Sequence, residues 1–250
     1  MGLYVETRIR ADMDTLWART QDPAVHQRWD LRFTQIVRLP APEGDADAGP
    51  GGEEGAPYRF RYATRVVPGL VLAGTGVAAG QRRHADGSRT SALRFASPHP
   101  LSLLAEGSGY WRYVPDGDGV RFLTGYDYRP RWGRFGRQAD RWALRPLMGW
   151  ATAWSFDRLR LWCERGIPPE RSLLHGLLEA AVRALAIVAA VAWSDAGPFA
   201  TLTAAVTALA AVLLPPLPCT PAARRCRRRP RSAARPPVLL RTLTASEASR

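Results

Sequence analysis

The sequence contains no lysine and no asparagine, and only three cysteines in 250 residues. Because all 35 basic residues are arginine, coding bias in a GC-rich genome explains the arginine content better than selection for guanidinium chemistry. Arginine richness alone is therefore weak support for nucleic-acid binding. Cys163, Cys219 and Cys226 form neither an even set of closely spaced disulfide partners nor a pair of CxxC motifs. We expect ordinary reduced thiols in a cytoplasmic compartment.

Several motifs of well-known catalytic chemistry are also missing. The chain has no glycine-rich phosphate loop, no GxSxG nucleophile elbow and no HExxH zinc motif. The four histidines lie far apart, without the spacing of metal ligands: His26, His84, His99 and His175. We therefore expect no metal site and no cofactor.

The stretch 173–218 holds almost no charge and predicts two helices, 172–193 and 199–215. At 1.5 Å per residue the first helix is roughly 33 Å long, enough to cross about 30 Å of hydrocarbon, and the second about 25 Å. Glu179 and Arg183 stand four residues apart, so they can pair on one helix face and offset part of their insertion cost. The segment predicts a two-helix transmembrane hairpin at 172–216. The alternative is that both helices pack on the soluble part or on another chain.

Arginine placement predicts the orientation of this hairpin. Arg165 and Arg171 precede it, and a cluster that begins at Arg224 and ends at Arg231 follows it, whereas the turn holds no positive residue. Under the positive-inside rule the N-terminal part and the C-terminal tail both stay in the cytoplasm, at the cell membrane.

The tail at 217–250 holds nine arginines and one glutamate and is expected to be disordered and basic. Membrane lipids are the preferred partner of its arginine cluster. A topology signal without any partner is an alternative of at least equal weight. Nucleic acid is disfavoured because the aromatic residues that would stack on bases are not interleaved with the arginines.

Residues 1–166 have a polar and apolar pattern of their own. Alternation predicts a first strand with its inward side chains at Leu3, Val5, Thr7 and Ile9. Asp12 and Asp22 are typical caps of two short helices, and a second strand is predicted at 31–39. The run 40–57 is rich in proline, glycine and acidic residues and indicates a loop between strands.

Short β-like runs recur after this loop, separated by turn signals such as Pro68-Gly69 and Asp86-Gly87. The predicted strands cover 58–67, 70–81, 90–96, 101–114 and 120–128. Such spacing indicates an antiparallel meander and not βαβ units. Residues 137–165 then show helical spacing, with Pro146 expected to kink the first turns.

Two runs, TRIRADMDTLW at 7–17 and DPAVHQRWD at 22–30, resemble the opening of the SRPBCC superfamily, which includes START, Bet v 1 and polyketide cyclase-like helix-grip proteins. The similarity covers about 1–165, and its motifs are more specific for fold than for activity. It implies an α+β helix-grip fold, in which a curved antiparallel sheet surrounds a long C-terminal helix; a C-terminal helical hairpin is added here. The long insertion at 40–57 and the tail beyond Ile167 depart from the family.

The resemblance implies an elongated apolar cavity between the sheet, the long helix and the two short helices. Its expected occupant is a hydrophobic small molecule, either lipid or polyketide-like. Large side chains near that cavity are the expected ligand-binding residues: Trp29, Phe33, Tyr62, Phe95, Tyr110, Phe122, Tyr126, Trp150 and Trp154. For each of them, plain core packing is the alternative.

Only Tyr126-Asp127-Tyr128 and His26 could supply catalysis of a cyclase or dehydratase type. Strand alternation puts Tyr126 and Tyr128 on one face and Asp127 on the other. Packing tyrosines beside a solvated aspartate are favoured over a catalytic Tyr126-Asp127-Tyr128, and His26 is equally well explained as a surface helix residue, so no catalytic residue is assigned and Tyr126 and His26 are weak candidates. We expect a membrane-tethered binding or transfer protein. An enzyme and a non-catalytic scaffold or regulatory protein are the alternatives.

Overall fold

The computed structural model of the chain describes residues 2–40, 57–67 and 69–230. Seven strands form one antiparallel sheet in the order β1-β7-β6-β5-β4-β3-β2. The strands are β1 (Leu3–Ile9), β2 (Gln35–Arg38), β3 (Tyr58–Val67), β4 (Leu70–Arg83), β5 (Arg89–Ala96), β6 (Leu104–Asp116) and β7 (Gly119–Pro130). All neighbours from β2 to β7 are consecutive in sequence, so the predicted meander is confirmed.

The helices of the described residues are α1 (Met13–Gln21), α2 (Pro23–Trp29), α3 (Gly133–Ala139), α4 (Arg145–Arg165), α5 (Pro169–Trp193) and α6 (Pro198–Leu213). The predicted caps are present, because the Asp12 side chain accepts a hydrogen bond from the Thr15 N–H and Asp22 accepts one from Ala24. Gly166 ends α4 in the left-handed conformation with φ 65°. The order of one strand, two short helices, six strands and a long helix is that of a helix-grip fold, as the sequence predicts.

The core lies between the sheet and the C-terminal half of α4. Phe122 of β7 and Phe156 of α4 stack there with ring centroids 4.5 Å apart. Fully buried side chains from both elements and from the short helices complete this core: Val5, Ile9, Leu16, Trp29, Tyr113 and Leu159. The face of the sheet that carries Phe122 is therefore the inner face.

Two local predictions differ from the structure. The strand predicted at 31–39 begins only at Gln35, because the preceding residues turn so that Arg32 can bind Asp30. A π turn at Asp140–Leu144 joins α3 to α4 just before Pro146, where a kink was expected. Proline has no N–H for the α-helical pattern, and the wider turn accommodates its absence. Most of the loop predicted at 40–57 lies outside the described residues.

Helices α5 and α6 pack against each other as the predicted hairpin. Helix α5 is long and apolar enough to cross a membrane by length and composition, and none of its most apolar 18-residue window is buried. Helix α6 is apolar but shorter. Large side chains of both helices are more than half exposed, among them Leu177, Val182, Leu185, Phe199, Leu202 and Val206.

The C-terminal tail differs from the prediction of disorder over residues 217–230. Arg227 and Glu6 exchange two backbone hydrogen bonds of 2.8 Å, so the tail extends the sheet at the free edge of β1. Buried Cys226 donates its thiol hydrogen to the Ala153 carbonyl, 3.1 Å away. The many arginines of the tail predicted a solvated, disordered segment. Residues 217–230 are ordered instead because the edge of β1 and the side of α4 provide hydrogen-bond partners for them. Residues 231–250, and with them Arg231, lie outside the described residues.

Candidate functional site

Aromatic side chains on the inner face of the sheet stand opposite glycines of the neighbouring strands. A Cβ atom at Gly107 would lie 2.5 Å from the Phe95 ring, and one at Gly109 would lie 2.5 Å from the Tyr126 ring. The rings therefore lie against the backbone instead of projecting toward α4. The cross-strand pairs are Phe60 with Gly76, Tyr62 with Gly74, Phe95 with Gly107, and Tyr126 with Gly109.

Three of these rings and Phe33 line an aromatic cleft, which we define by Phe33, Tyr62, Phe95 and Tyr126; neighbouring rings stand edge to face, at 76° for Phe33 and Tyr62 and 88° for Tyr62 and Phe95. Ring centroids are 5.7 Å apart for Phe33 and Tyr62, and 6.4 Å apart for Tyr62 and Phe95. All four side chains are only half-buried although they point to the inner side. These four rings are therefore less covered than Phe122 and Phe156, which lie beside the C-terminal half of α4.

A buried polar group lies at the α2 end of the cleft. Arg32 donates two hydrogen bonds to Asp30, from Nε to Oδ1 at 2.9 Å and from Nη2 to Oδ2 at 2.6 Å. The Nε2 atom of His26 stands 3.0 Å from Oδ2 of Asp30. All three side chains are buried, at 1% exposure for Asp30, 6% for Arg32 and 8% for His26. A buried charge pair of this kind is stable only because each partner is satisfied.

The charges of this group are set by its members. Burial alone would raise the pKa of Asp30, but the Arg32 guanidinium and the hydrogen bond from His26 together outweigh burial and hold that pKa far below its usual range. Burial lowers the pKa of His26 below 6.5, and the hydrogen bond to Asp30 only partly opposes this shift. An ionised carboxylate only accepts hydrogen bonds, so Nε2 of His26 donates and Nδ1 keeps its lone pair. The group is therefore neutral in sum near pH 7.

Tyr126 connects the polar group to the aromatic wall. The Arg32 guanidinium lies 4.7 Å over its ring. The phenol O–H of Tyr126 can donate a hydrogen bond to a ligand. Trp111 packs edge-on against His26 at 4.8 Å, and its buried Nε1 has no partner among the described residues. Both weak catalytic candidates, His26 and Tyr126, thus belong to one constellation.

The structure places the other predicted ligand-binding residues in several surroundings. Trp29 and Phe122 are fully buried in the core beside α4. Trp150 and Trp154 stack on the side of α4, with centroids 6.0 Å apart and Trp150 44% exposed. Tyr110 does not meet the cleft: by strand register it lies on the outer face of the sheet, in a cluster with Val77, Ala92 and Leu123.

Arg32, Asp30 and the glycine partners were missed by sequence reasoning. The predicted strand at 31–39 concealed the turn that brings Arg32 to Asp30. A usable signal was present, since the Gly-x-Gly spacings at 74/76 and 107/109 match the alternating aromatics of β3 and β7.

A polar groove of about 420 Å³ lies on the outer face, lined by Arg94, Glu106, Ser108, Asp127 and Arg129. Its lining also includes Phe95 of the cleft and Tyr128. Within the described ranges, no group of three or more histidine, cysteine, aspartate or glutamate side chains could hold a metal ion.

No protein-family model matches the sequence. The uncharacterized membrane protein YndG of Bacillus subtilis (strain 168) is 43% identical over 177 residues. The match covers 70% of this chain and 62% of that protein, so the chain spans less than two thirds of its relative's length. The chain is similar to a membrane protein.

Two solved structures have a partly similar fold. The STAR-related lipid transfer protein from Xanthomonas axonopodis is 18% identical with a TM-score of 0.45, and covers 63% of this chain and 82% of its own. The ZhuI aromatase/cyclase from Streptomyces sp. R1128 is 13% identical with a TM-score of 0.39, and covers 64% of this chain and 95% of its own. These likenesses concern the fold alone.

Proposed function

We propose that this protein binds a hydrophobic small molecule in the aromatic cleft while its C-terminal hairpin holds it in a membrane. The observation that carries the proposal is the row of half-buried aromatic rings over paired glycines, which ends at the buried group of His26, Asp30 and Arg32. Binding pockets of this kind are apolar with few polar groups that fix orientation. In this proposal residues 1–166 form the ligand-binding domain and residues 172–216 the membrane hairpin.

The polar end of the cleft constrains the ligand. Asp30 and Arg32 neutralise each other, and His26 is uncharged near pH 7, so a charged ligand group would find no counter-charge there. The O–H of Tyr126 instead suits a hydrogen-bond acceptor. We therefore propose an uncharged apolar molecule with a carbonyl, ester or hydroxyl oxygen, such as a neutral lipid or a polyketide-like compound.

Membrane insertion of the hairpin is supported by the hydrogen-bond partners of its charged side chains. Arg183 donates to the carbonyl oxygens of Ala211, Leu214 and Pro215 at 2.7, 2.9 and 3.1 Å, and to Glu179 at 2.5 Å. The one arginine in the middle of α5 thus closes the C-terminal end of the shorter helix α6. This removes the objection that an unpaired charge would lie at membrane depth.

The extended segment after α6 is also suited to a region without water. Arg225 donates to the carbonyls of Pro216, Leu217 and Thr220, and Glu179 accepts the N–H of Leu217. Prolines at 215, 216 and 218 have no N–H to satisfy. Irregular backbone is tolerated in a bilayer only where such groups have partners.

Both ends of the hairpin bind the same domain, which supports a topology with both flanks on one side of the membrane. Before the hairpin, Arg28 pairs with Glu170 at 2.8 Å. After it, the Ala222 N–H and Arg225 bind buried Asp157 at 2.8 and 2.9 Å. With the positive-inside rule, we propose that this side is the cytoplasm.

One observation favours an enzyme as the second proposal. The Nδ1 lone pair of His26 and the O–H of Tyr126 belong to the same polar group, so a carbonyl compound in the cleft could meet a base and a hydrogen-bond donor together. A cyclase or dehydratase reaction needs both. Turnover of a bound carbonyl compound, lost in His26→Gln with the ligand still bound, would establish this alternative.

Photo-crosslinking tests the binding proposal. The full chain in lipid nanodiscs is irradiated with a diazirine-bearing monoacylglycerol, and the adducts are mapped by peptide mass spectrometry. We expect adducts on the β3, β5 and β7 peptides of the cleft, competed by unlabelled monoacylglycerol. Tyr126→Phe is expected to weaken this labelling about fivefold, the effect of one lost hydrogen bond, and Tyr110→Phe on the outer face to leave it unchanged. Adducts confined to the hairpin would refute binding in the cleft.

A further inference from the structure

A row of exposed apolar side chains follows one side of α3, the π turn and the first half of α4. Phe135, Trp142, Leu147 and Trp150 are 72%, 74%, 59% and 44% exposed. Phe135 and Trp142 are seven residues apart, which is two helical turns. Trp142 and Leu147 are five apart, one turn of a π-helix, and Trp150 follows three residues later. The four side chains, which we name the α3–α4 surface, therefore lie on one face.

Exposed arginines accompany this row. Arg134, Arg137 and Arg141 follow at spacings of three and four residues, so they share a face next to the apolar one. The guanidinium of Arg141 lies 5.3 Å over the Trp142 ring. Among the described residues none of these three arginines forms an ion pair with an acidic side chain. Aromatic and apolar residues beside unpaired arginines are the composition of a surface that lies at the headgroup level of a membrane.

The direction of α5 puts the hairpin at the same end of the molecule. At the start of α5, Arg158 of α4 donates to the Pro169 carbonyl at 2.9 Å. Seven residues on, Gly176 packs against the ring of Trp154, which precedes Arg158 in α4. Helix α5 therefore runs antiparallel to α4 and leaves the domain at the N-terminal end of α4. The π turn and α3 lie at that end.

We infer that the α3–α4 surface and its three arginines dock on an anionic bilayer beside the inserted hairpin. The inference rests on the proposed membrane insertion and adds a second, peripheral contact to it. Charge complementarity selects a surface of anionic phospholipid headgroups as the occupant. Trp132, which precedes α3, has a left-handed backbone with φ 66°, rare for a bulky residue and typical of functional segments.

Docking in this orientation brings the cleft to the lipid. Tyr128, an inward-facing neighbour of Tyr126 on β7, donates a hydrogen bond of 2.5 Å to Asp140 in the π turn. The rim of the aromatic cleft is thus joined to the docking surface. A neutral lipid would pass between bilayer and cleft without crossing bulk water.

Hydrogen exchange of the full chain in nanodiscs tests this inference. Exchange of the 131–147 peptides is compared between nanodiscs of phosphatidylcholine alone and nanodiscs with about one third phosphatidylglycerol. We expect at least threefold slower exchange in the anionic nanodiscs. The triple variant R134E/R137E/R141E should lose this difference. R61E/R65E/R82E, with the same charge change at exposed positions of β3 and β4, should keep it.

Three results would overturn the inference: equal exchange in both lipids, an unchanged difference in R134E/R137E/R141E, or loss of the difference in R61E/R65E/R82E. Unaltered exchange of the β6 and β7 peptides shows that each variant is folded. Carbonate washing of the membranes from which the chain is extracted separates the two proposals. A chain that resists the wash but shows no lipid-dependent exchange has an inserted hairpin without peripheral docking.

Discussion

The ring of Tyr126 lies so close to Gly109 on the neighbouring strand that a Cβ atom there would approach it to 2.5 Å. This contact keeps the ring against the sheet. Phe95 and Gly107 form the same kind of contact two residues earlier on β6. The cleft thus depends on glycine at positions where any other residue would push an aromatic ring toward α4.

Gly109→Ala is expected to destabilise the protein by about 1 to 3 kcal/mol, since the added methyl group overpacks the wall. It should also reduce monoacylglycerol crosslinking in the cleft, because the Tyr126 ring is displaced into the binding space. Gly149→Ala is the matched control. The nearest atom to a Cβ there is Leu3 Cδ1 at an ordinary 3.8 Å, and alanine favours a helix interior by about 0.5 to 1 kcal/mol. In denaturant unfolding, we predict that Gly109→Ala lowers the free energy of unfolding and that Gly149→Ala raises it.

The buried histidine predicts a pH dependence of stability. Burial lowers the pKa of His26 in the folded chain below its ordinary value of 6.5, so the unfolded chain binds the proton more readily. The contribution of His26 is therefore fully present above pH 6.5 and is lost as the pH falls through the folded pKa. His26→Gln should reduce the decrease in unfolding midpoint between pH 7 and pH 5. Parallel curves for the two proteins would contradict this assignment.

The fold was accessible from the sequence because its signals are local. Alternation in β1, the caps Asp12 and Asp22, and the glycine turns each report on neighbouring residues. Arg32 is different: its position depends on Asp30 and on Tyr126, which is 94 residues away and becomes a neighbour only through the pairing of strands. The tail at 217–230 was missed for a similar reason, since its partners Glu6 and Asp157 come from distant elements.

Asp157 is fully buried and holds the returning tail. It accepts hydrogen bonds from the Ala222 N–H, Arg225 and Arg160. Asp157→Asn removes the carboxylate partner of Arg225 and one of the two carboxylate partners of Arg160, which keeps Glu164, at a cost of about 3 kcal/mol. We expect faster tryptic cleavage after Arg224 and Arg225 in the variant, measured on the detergent-solubilised chain. Asp127→Asn on the outer face should cleave at the rate of the unaltered protein. Equal rates for all three would mean that Asp157 does not anchor the tail.

Arg183 is predicted to be required for stable membrane insertion. Arg183→Leu makes the hairpin more apolar, yet it removes the charge partner of Glu179 and the donor to the carbonyls of Ala211, Leu214 and Pro215. Unpaired polar groups in hydrocarbon cost several kcal/mol, so retention in carbonate-washed membranes should decrease. Arg82→Leu, an exposed change on β4, is the control. Undiminished or higher retention of Arg183→Leu would contradict a stabilising role for the hydrogen bonds between Arg183 and the end of α6, because the loss of charge by itself favours insertion.

Native mass spectrometry tests the central claim of a ligand-binding cleft most directly. The full chain is extracted from its own membranes into detergent, and its mass is recorded before and after activation in the gas phase. We predict a reproducible adduct of an uncharged apolar molecule at one copy per chain, diminished in Gly109→Ala and retained in Gly149→Ala. A chain that carries no such adduct in repeated preparations, or one that is equally abundant in both variants, would contradict the account.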